Sequence, residues 1–199
     1  MKRYSIRRVN NIIAENDSRI ENICNACHIP SACLKAVLRM ELPEINFSDD
    51  AADFVVSLNW LRYSIFHGYA LERHTRNPLH KFDSSTGYGQ IFSQVAIEAI
   101  LFAKMQGIAA PDISGELSPD NPDDLKRVWM RLHHDQEFNL TCSALNLLHA
   151  AYQMTGRISF STFSPEEMKL VFSRYNGNVK HITPYGEKAY RYYLEYGEN

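Results

Sequence analysis

Apolar residues recur every three or four positions along almost the entire chain, which is the spacing of amphipathic helices. Strand-like alternation of apolar and polar residues is confined to short stretches such as Arg157 to Phe163. The pattern therefore predicts a mainly α fold with little or no β structure. The predicted helices span about 8–27, 31–42, 50–73, 90–106, 122–135, 139–155, 165–176 and 184–196.

Three of the predicted helices share one start signal, a capping residue followed by proline at the first helical position. Glu167 also completes a capping box with one of these residues, Ser164. The loops at 77–87 and 111–122 do not resemble interdomain linkers, so we expect residues 1–199 to form a single domain with 1–28 as an N-terminal helical extension. The three start signals are Asn121-Pro122, Ser164-Pro165 and Thr183-Pro184.

The composition is that of a globular protein. Of the 199 residues, 45% are hydrophobic and 22% are charged, which excludes a disordered or low-complexity chain. The formal net charge of −2 provides no basic field that would attract nucleic acid or anionic lipid. No run of about 18 apolar residues occurs, so no membrane span is predicted. No apolar stretch follows the basic N-terminus, so we expect synthesis in the cytoplasm without a classical signal peptide.

Cys24, Cys27 and His28 match the C-x-x-C-H pattern of c-type haem attachment. Haem attachment would also need export and an axial ligand. A thioredoxin-like site would need a neighbouring βαβ pattern, and a zinc site would need further ligands at suitable spacing. Because these cysteines follow isoleucines at helical spacing, we expect core or helix-end cysteines, with neither a cofactor nor a metal.

Glu41 is an acidic residue at the end of an otherwise apolar predicted helix. Pro43 disfavours helical geometry at Leu42, so Glu41 is expected in the last turn. The negative end of the helix dipole and the apolar neighbours would both raise the pKa of its carboxyl group. A raised pKa is what a general acid needs near neutral pH. The alternative is an exposed surface glutamate whose neighbours happen to be apolar.

Three further motifs follow Glu41: Ser85-Thr86-Gly87-Tyr88-Gly89-Gln90-Ile91, Phe138-Asn139-Leu140 and Arg174-Tyr175-Asn176-Gly177. In this order, the four elements resemble the lysozyme-like superfamily of soluble lytic transglycosylases and goose-type lysozymes. The resemblance implies a lysozyme-like helical domain in which Glu41 is the catalytic acid. It also implies that Gly87 and Gln90 form the floor of a sugar cleft, and that Asn139, Tyr175 and Asn176 bind substrate or orient the acid.

Two features depart from that family. Leu42 follows the glutamate where the family usually has serine, so any hydrogen bond from that serine is missing. The interval between Glu41 and Gly87 is also longer and contains an additional predicted helix with four aromatic residues. We expect this aromatic stripe to belong to the core, with an aromatic wall over the cleft as the alternative. The four residues are Trp60, Tyr63, Phe66 and Tyr69.

Glycoside hydrolysis normally uses two carboxyl groups, about 5 Å apart for retention and about 6.5–9.5 Å apart for inversion. Asp83 is the preferred candidate for the second one, because it precedes the predicted cleft floor; the alternative is an ordinary turn residue. The resemblance also allows a route with one acid, in which Glu41 acts first as acid and then as base while the 6-hydroxyl of the muramic acid closes an anhydro ring. Other candidates for the second carboxyl group are Asp49, Asp50, Asp53 and Asp135.

The expected function is cleavage of the β-1,4 bond between N-acetylmuramic acid and N-acetylglucosamine in peptidoglycan glycan strands, by a lytic transglycosylase with one catalytic glutamate. The alternative is a non-catalytic lysozyme-like module that binds glycan or a protein partner. A third class, an unrelated helical interaction protein, would be favoured by a structure in which Glu41 and Gln90 face different sides. Without a classical signal peptide, the enzyme would meet the cell wall after phage lysis or through specialised secretion machinery.

Overall fold

The computed structural model describes residues 4–66, 80–177 and 179–197, and in these ranges the protein is mainly α-helical. There is no β-strand in them, and Thr86 and Ile91 form an isolated antiparallel bridge. The prediction of a mainly α fold is therefore confirmed. The helices are α1 (Ile6–Glu15), α2 (Asp17–Ala26), α3 (Ser31–Glu41), α4 (Phe47–Ile65), α5 (Ser93–Met105), α6 (Pro122–His134), α7 (Gln136–Thr155), α8 (Pro165–Tyr175) and α9 (Pro184–Gly197), with 3-10 turns at Leu42–Glu44 and Phe160–Thr162.

The helix predicted at 8–27 is two helices, because the backbone changes direction at Asn16. The Nδ2 atom of Asn16 donates a hydrogen bond of 2.8 Å to the carbonyl oxygen of Ile12. A short polar side chain that bonds to nearby backbone competes with helix continuation. The helix predicted at 50–73 begins earlier, at Phe47, where Asn46 and Asp49 form a capping box. Residues 67–73 lie outside the described ranges.

The segment 157–163 does not form a strand, although its apolar and polar residues alternate. The backbone has no regular secondary structure at 157–159, with Ser159 extended, and then forms the 3-10 turn Phe160–Thr162. Phe160 is buried and its ring packs against Phe163 at a centroid distance of 5.1 Å. No neighbouring strand pairs with this segment in the described part of the chain, so its alternation serves local packing.

All three predicted helix starts are confirmed. The Asn121 side chain accepts a hydrogen bond from the backbone N–H of Asp123, at 3.0 Å. Ser164 and Glu167 form the reciprocal capping box, at 3.3 and 2.8 Å. The hydroxyl of Thr183 accepts from the N–H of Gly186 at 3.2 Å. These bonds satisfy donors that every helix start leaves without an intrahelical partner.

The core is built around α7, which is buried along most of its length and packs against α5 and α8. Helix α9 packs against both α3 and α8. The buried residues of α1 and α2 belong to the same core as those of α3 and α7. This arrangement brings the end of α3, the loop at 80–92 and the end of α8 together. Within the described ranges, no helix is long and apolar enough to cross a membrane.

The cysteines are core residues, as expected. Cys24 lies in the last turn of α2 and Cys27 caps its end, and the next residue, His28, has a left-handed conformation with φ of 57°. Burial raises the pKa of the Cys24 thiol to about 12 and that of Cys27 to about 11, so both stay protonated at neutral pH. Buried free thiols of this kind are unreactive. Cys33 and Cys142 are buried and free as well.

Candidate active site

A cleft with a volume of about 520 Å³ lies beside the end of α3. The loop at 85–92 forms one wall, and residues of α5, α7 and the end of α8 form the others. Four residues that the resemblance assigns to the site line this cleft together, Glu41, Gln90, Tyr175 and Asn176, and so does Asp49, one of the other candidate carboxylates. Glu41 and Gln90 therefore face the same space, which argues against the third class considered above.

Glu41 is the last residue of α3 and is mostly buried, so it is not an exposed surface glutamate. Burial raises the pKa of its carboxyl group from 4.5 to about 7, and the nearby charge of Glu44 acts in the same direction. The hydroxyl of Tyr185 opposes this effect by donating a hydrogen bond of 2.5 Å to Oε1 of Glu41. A carboxyl group with this pKa can both deliver and accept a proton near neutral pH.

Tyr185 was missed by the sequence reasoning. It lies at the start of α9, 144 residues from Glu41, and it reaches the carboxyl group only because α9 packs against α3. No local pattern distinguishes it from the other tyrosines of α9. Leu42, which stands where the family usually has serine, is fully buried in the core and has no side-chain polar group to offer Glu41.

Tyr175 approaches Glu41 from the end of α8. Its hydroxyl donates a hydrogen bond of 2.8 Å to the carbonyl oxygen of Gly89, which joins α8 to the loop at 85–92. Burial raises the pKa of Tyr175 and of Tyr185, and the charge of Glu41 raises both further. Both hydroxyls therefore remain protonated and can act as hydrogen-bond donors beside the Glu41 carboxyl group.

The loop that carries Gln90 has an unusual backbone. Gly87 has φ of 72° and Gln90 has φ of 47°, both in the left-handed region that favours glycine. The Gln90 side chain stabilises this turn, because its Nε2 donates to the carbonyl oxygen of Gly87 at 2.8 Å and its Oε1 accepts from the Ser85 hydroxyl at 3.2 Å. The turn holds the Gln90 amide against the cleft wall.

Asn139 holds the loop from behind and does not line the cleft. Its Oδ1 accepts from the N–H of Gly89 at 2.9 Å, and its Nδ2 donates to the carbonyl oxygen of Thr86 at 2.9 Å. A Cβ atom on Gly87 would lie 2.1 Å from Nδ2 of Asn139, and one on Gly89 would lie 1.9 Å from Oγ of Ser143. The glycines therefore permit close approach to α7, and the structure places Gly87 and Asn139 in loop support.

Asp83 caps helix α5. Its carboxylate accepts hydrogen bonds from the N–H and hydroxyl of Ser93, at 3.1 and 2.9 Å, and from the N–H of Gln94 at 3.4 Å. Burial raises its pKa to about 6, although these hydrogen bonds act in the opposite direction. Asp83 does not line the cleft. Besides Glu41, the carboxylates that do are Glu44, Asp49 and Glu98, of which the sequence suggested only Asp49.

Asp53 and Asp135, two other candidates for a second carboxylate, also have structural partners. Asp53 accepts hydrogen bonds from the hydroxyls of Ser84 at 2.6 Å and Thr86 at 2.8 Å, and it lies 3.2 Å from Nδ1 of His133. These hydrogen bonds hold the pKa of Asp53 below its usual value despite its burial. The network ties the loop to α4 and α6. Asp135 caps α7 through the N–H of Phe138, at 3.0 Å.

The aromatic residues of α4 do not form a wall over the cleft. Trp60 is fully buried and packs edge-to-face against Tyr63 and Phe82, at centroid distances of 5.7 and 5.9 Å. Phe66 is exposed at the end of α4, and Tyr69 lies outside the described residues. Trp60 therefore belongs to the core, as expected, and none of the described members of the stripe lines the cleft.

No protein-family model, curated protein or solved structure matches this chain. Among the residues that the structure describes, no group of three or more histidine, cysteine, aspartate or glutamate side chains is placed to hold a metal ion.

Proposed function

We propose that this protein is a peptidoglycan-cleaving glycosidase of the lysozyme-like type, acting on the β-1,4 bond between N-acetylmuramic acid and N-acetylglucosamine. The observation that carries this proposal is the Glu41 carboxyl group, whose pKa is raised to about 7 at the wall of a cleft shared with Gln90, Tyr175 and Asn176. These are residues that the motif resemblance assigns to catalysis and sugar binding.

We further propose the lytic transglycosylase reaction with Glu41 as the single catalytic carboxyl group. Protonated Glu41 donates its proton to the glycosidic oxygen, the bond from C1 of the muramic acid to that oxygen breaks, and the glucosamine leaves with a 4-hydroxyl. The Glu41 carboxylate then takes the proton of the muramic 6-hydroxyl, whose oxygen bonds to C1. One proton is given and one is recovered, so no water is consumed.

Tyr185 is a positioning residue in this scheme. Because its hydroxyl donates to Oε1 of Glu41, it orients the carboxyl group and leaves Oε2 for the glycosidic oxygen. The hydrogen bonds of Asp83 support the route with one acid, because its carboxylate already accepts bonds from Ser93 and Gln94 at the start of α5. The charges of Glu44 and Glu98 at the cleft would favour the positive charge that develops at C1.

Digestion of purified peptidoglycan followed by mass spectrometry of the released muropeptides tests the proposal. The expected products carry 1,6-anhydromuramic ends, lighter by one water than hydrolysed ends. Glu41→Gln should abolish release, because the amide cannot deliver a proton; general acid catalysis is typically worth about 10²- to 10⁴-fold. Glu116→Gln, at an exposed loop position, is the matched control and should leave release unchanged.

Other outcomes point to the alternatives. Ordinary reducing ends, together with an inactive Asp83→Asn variant, would indicate hydrolysis with a second carboxylate, as in a lysozyme. Binding to peptidoglycan without any release would favour the non-catalytic module. The route by which the protein would reach the cell wall, through phage lysis or specialised secretion, stays a prediction.

A further inference from the structure

Helix α4 exposes an apolar stripe along its whole length. Five of its large apolar side chains are between 36% and 68% exposed, whereas Val56 and Trp60 on the opposite face are buried in the core. The exposed residues follow the a and d positions of a heptad repeat, with Ala51 completing the pattern, which is the spacing of a helix that pairs with another helix. The stripe consists of Phe47, Phe54, Leu58, Leu61 and Ile65.

A groove of about 400 Å³ runs beside this stripe, between α4 and α6. Phe54, Leu58 and Leu61 form one side of the groove, and Lys126 and Met130 of α6 form the other. Contiguous apolar patches of this kind on a protein surface mark interaction sites. The groove is wide enough to accept apolar side chains from a helix laid along α4.

We propose that α4 pairs in antiparallel orientation with α4 of a second copy of this chain, forming a symmetric dimer. The two-fold axis crosses α4 at the level of Val56, which itself points into the core. Phe54 then faces Leu58 of the second copy, and Ala51 faces Leu61. The outermost layer places Phe47 opposite Ile65 of the second copy. Every a and d layer therefore has an apolar side chain on both sides, and the stripe is complementary to itself.

The charges along α4 favour this orientation. The first turn carries Asp49 and Asp50, whereas the last turn carries Arg62, and Lys126 of α6 hydrogen-bonds to Ser64 near the same end. Antiparallel pairing brings the acidic end of each copy to the basic end of the other. Parallel pairing would bring two acidic ends together and is disfavoured.

The exposed area supports a weak but specific dimer. The five stripe side chains expose roughly 500 Å² on each copy, so pairing would remove roughly 1,000 Å² from water, near the lower limit for a specific interface. Because interfaces near this limit are typically weak and transient, we expect a dissociation constant of about 1–100 μM. Asp49 lines the cleft at one end of α4, so the two clefts would lie at opposite ends of a seam about 28 Å long.

Sedimentation equilibrium of the full chain tests the association. We expect a reversible equilibrium between the 22.9 kDa monomer and a dimer. Leu58→Glu and Leu61→Glu should each raise the dissociation constant at least about 30-fold, because each places a charge in the seam. Met105→Glu, at a residue 77% exposed on α5, is the matched control and should leave it unchanged. A monomer at all concentrations up to about 500 μM would overturn the proposal.

Disulfide cross-linking tests the orientation, and the buried native cysteines do not interfere. Ala51→Cys mixed with Leu61→Cys should give a cross-linked dimer, because the two positions face each other. Neither variant alone should cross-link, since identical positions lie about 15 Å apart along the antiparallel axis. Efficient cross-linking of either variant by itself would show parallel pairing and contradict the proposal. The result does not depend on the proposed glycosidase activity.

Discussion

Replacement of Glu41 by glutamine should stabilise the protein at alkaline pH. Burial holds the pKa of the Glu41 carboxyl group at about 7 in the folded protein, against an ordinary value of 4.5. Between these two values the folded protein retains a proton that the unfolded chain has released, so stability falls as pH rises. Below about pH 4.5 both states are protonated and the penalty is absent, and above about pH 7 it is complete.

The magnitude follows from the same two values. At 1.36 kcal/mol for each pH unit, the difference between about 7 and 4.5 gives about 3 kcal/mol of lost stability above neutral pH. Glutamine has the same shape, can still accept the hydrogen bond from Tyr185 and carries no charge. The variant should therefore match the wild type near pH 4 and exceed it by about 3 kcal/mol at pH 8.5, or about 6–12 °C in melting temperature for a chain of this length.

Urea denaturation at several pH values, followed by circular dichroism, measures this difference. Asp83, whose pKa is also raised, is present in both proteins, so its contribution cancels. Glu116→Gln, at an exposed position, should show no difference that grows with pH. A stability difference between wild type and Glu41→Gln that is equal at pH 4 and pH 8.5 would refute the reasoning that burial raises the Glu41 pKa.

Three further results are expected. Release of muropeptides should decline as pH rises through about 7, because Glu41 must be protonated to act as the acid. Tyr185→Phe should move this decline to higher pH, because it removes a hydrogen bond that lowers the Glu41 pKa. A pH–rate profile that does not move would contradict this role of Tyr185. Asp83→Ala should lower the free energy of unfolding by about 1–2 kcal/mol, because α5 loses its cap. Asp83→Asn should keep most of the turnover. An Asp83→Asn variant as inactive as Glu41→Gln would assign Asp83 a catalytic role. Gly89→Ala should lower the free energy of unfolding by at least about 2 kcal/mol in denaturation experiments, because its Cβ would clash with Ser143. Adding Ser143→Ala should recover part of that loss. Strict additivity of the two changes would show that the clash is not the cause.

The sequence by itself determined the features that depend on neighbours within one or two helical turns. The apolar period predicts the helices, and the caps at Asn121, Ser164 and Thr183 predict where three of them begin. The sequence also indicated the raised pKa of Glu41, from its place at the end of an apolar helix, but the burial that raises this pKa depends on packing with other helices, among them α9. Local signals failed at Asn16, where one side-chain hydrogen bond outweighs a continuous apolar pattern.

Only the tertiary structure decided which side chains meet across long separations. Tyr185 reaches Glu41 through the packing of α9 on α3, and Asp83 caps a helix that starts ten residues later in the chain. The packing of α4 was only partly determined, because the sequence placed Trp60 and Phe66 alike in the core, and only the structure shows that Trp60 is buried whereas Phe66 is exposed. Such contacts depend on how the helices are arranged in space, because apolar spacing shows that a helix has a face to bury but not which other helix of the same chain will cover it.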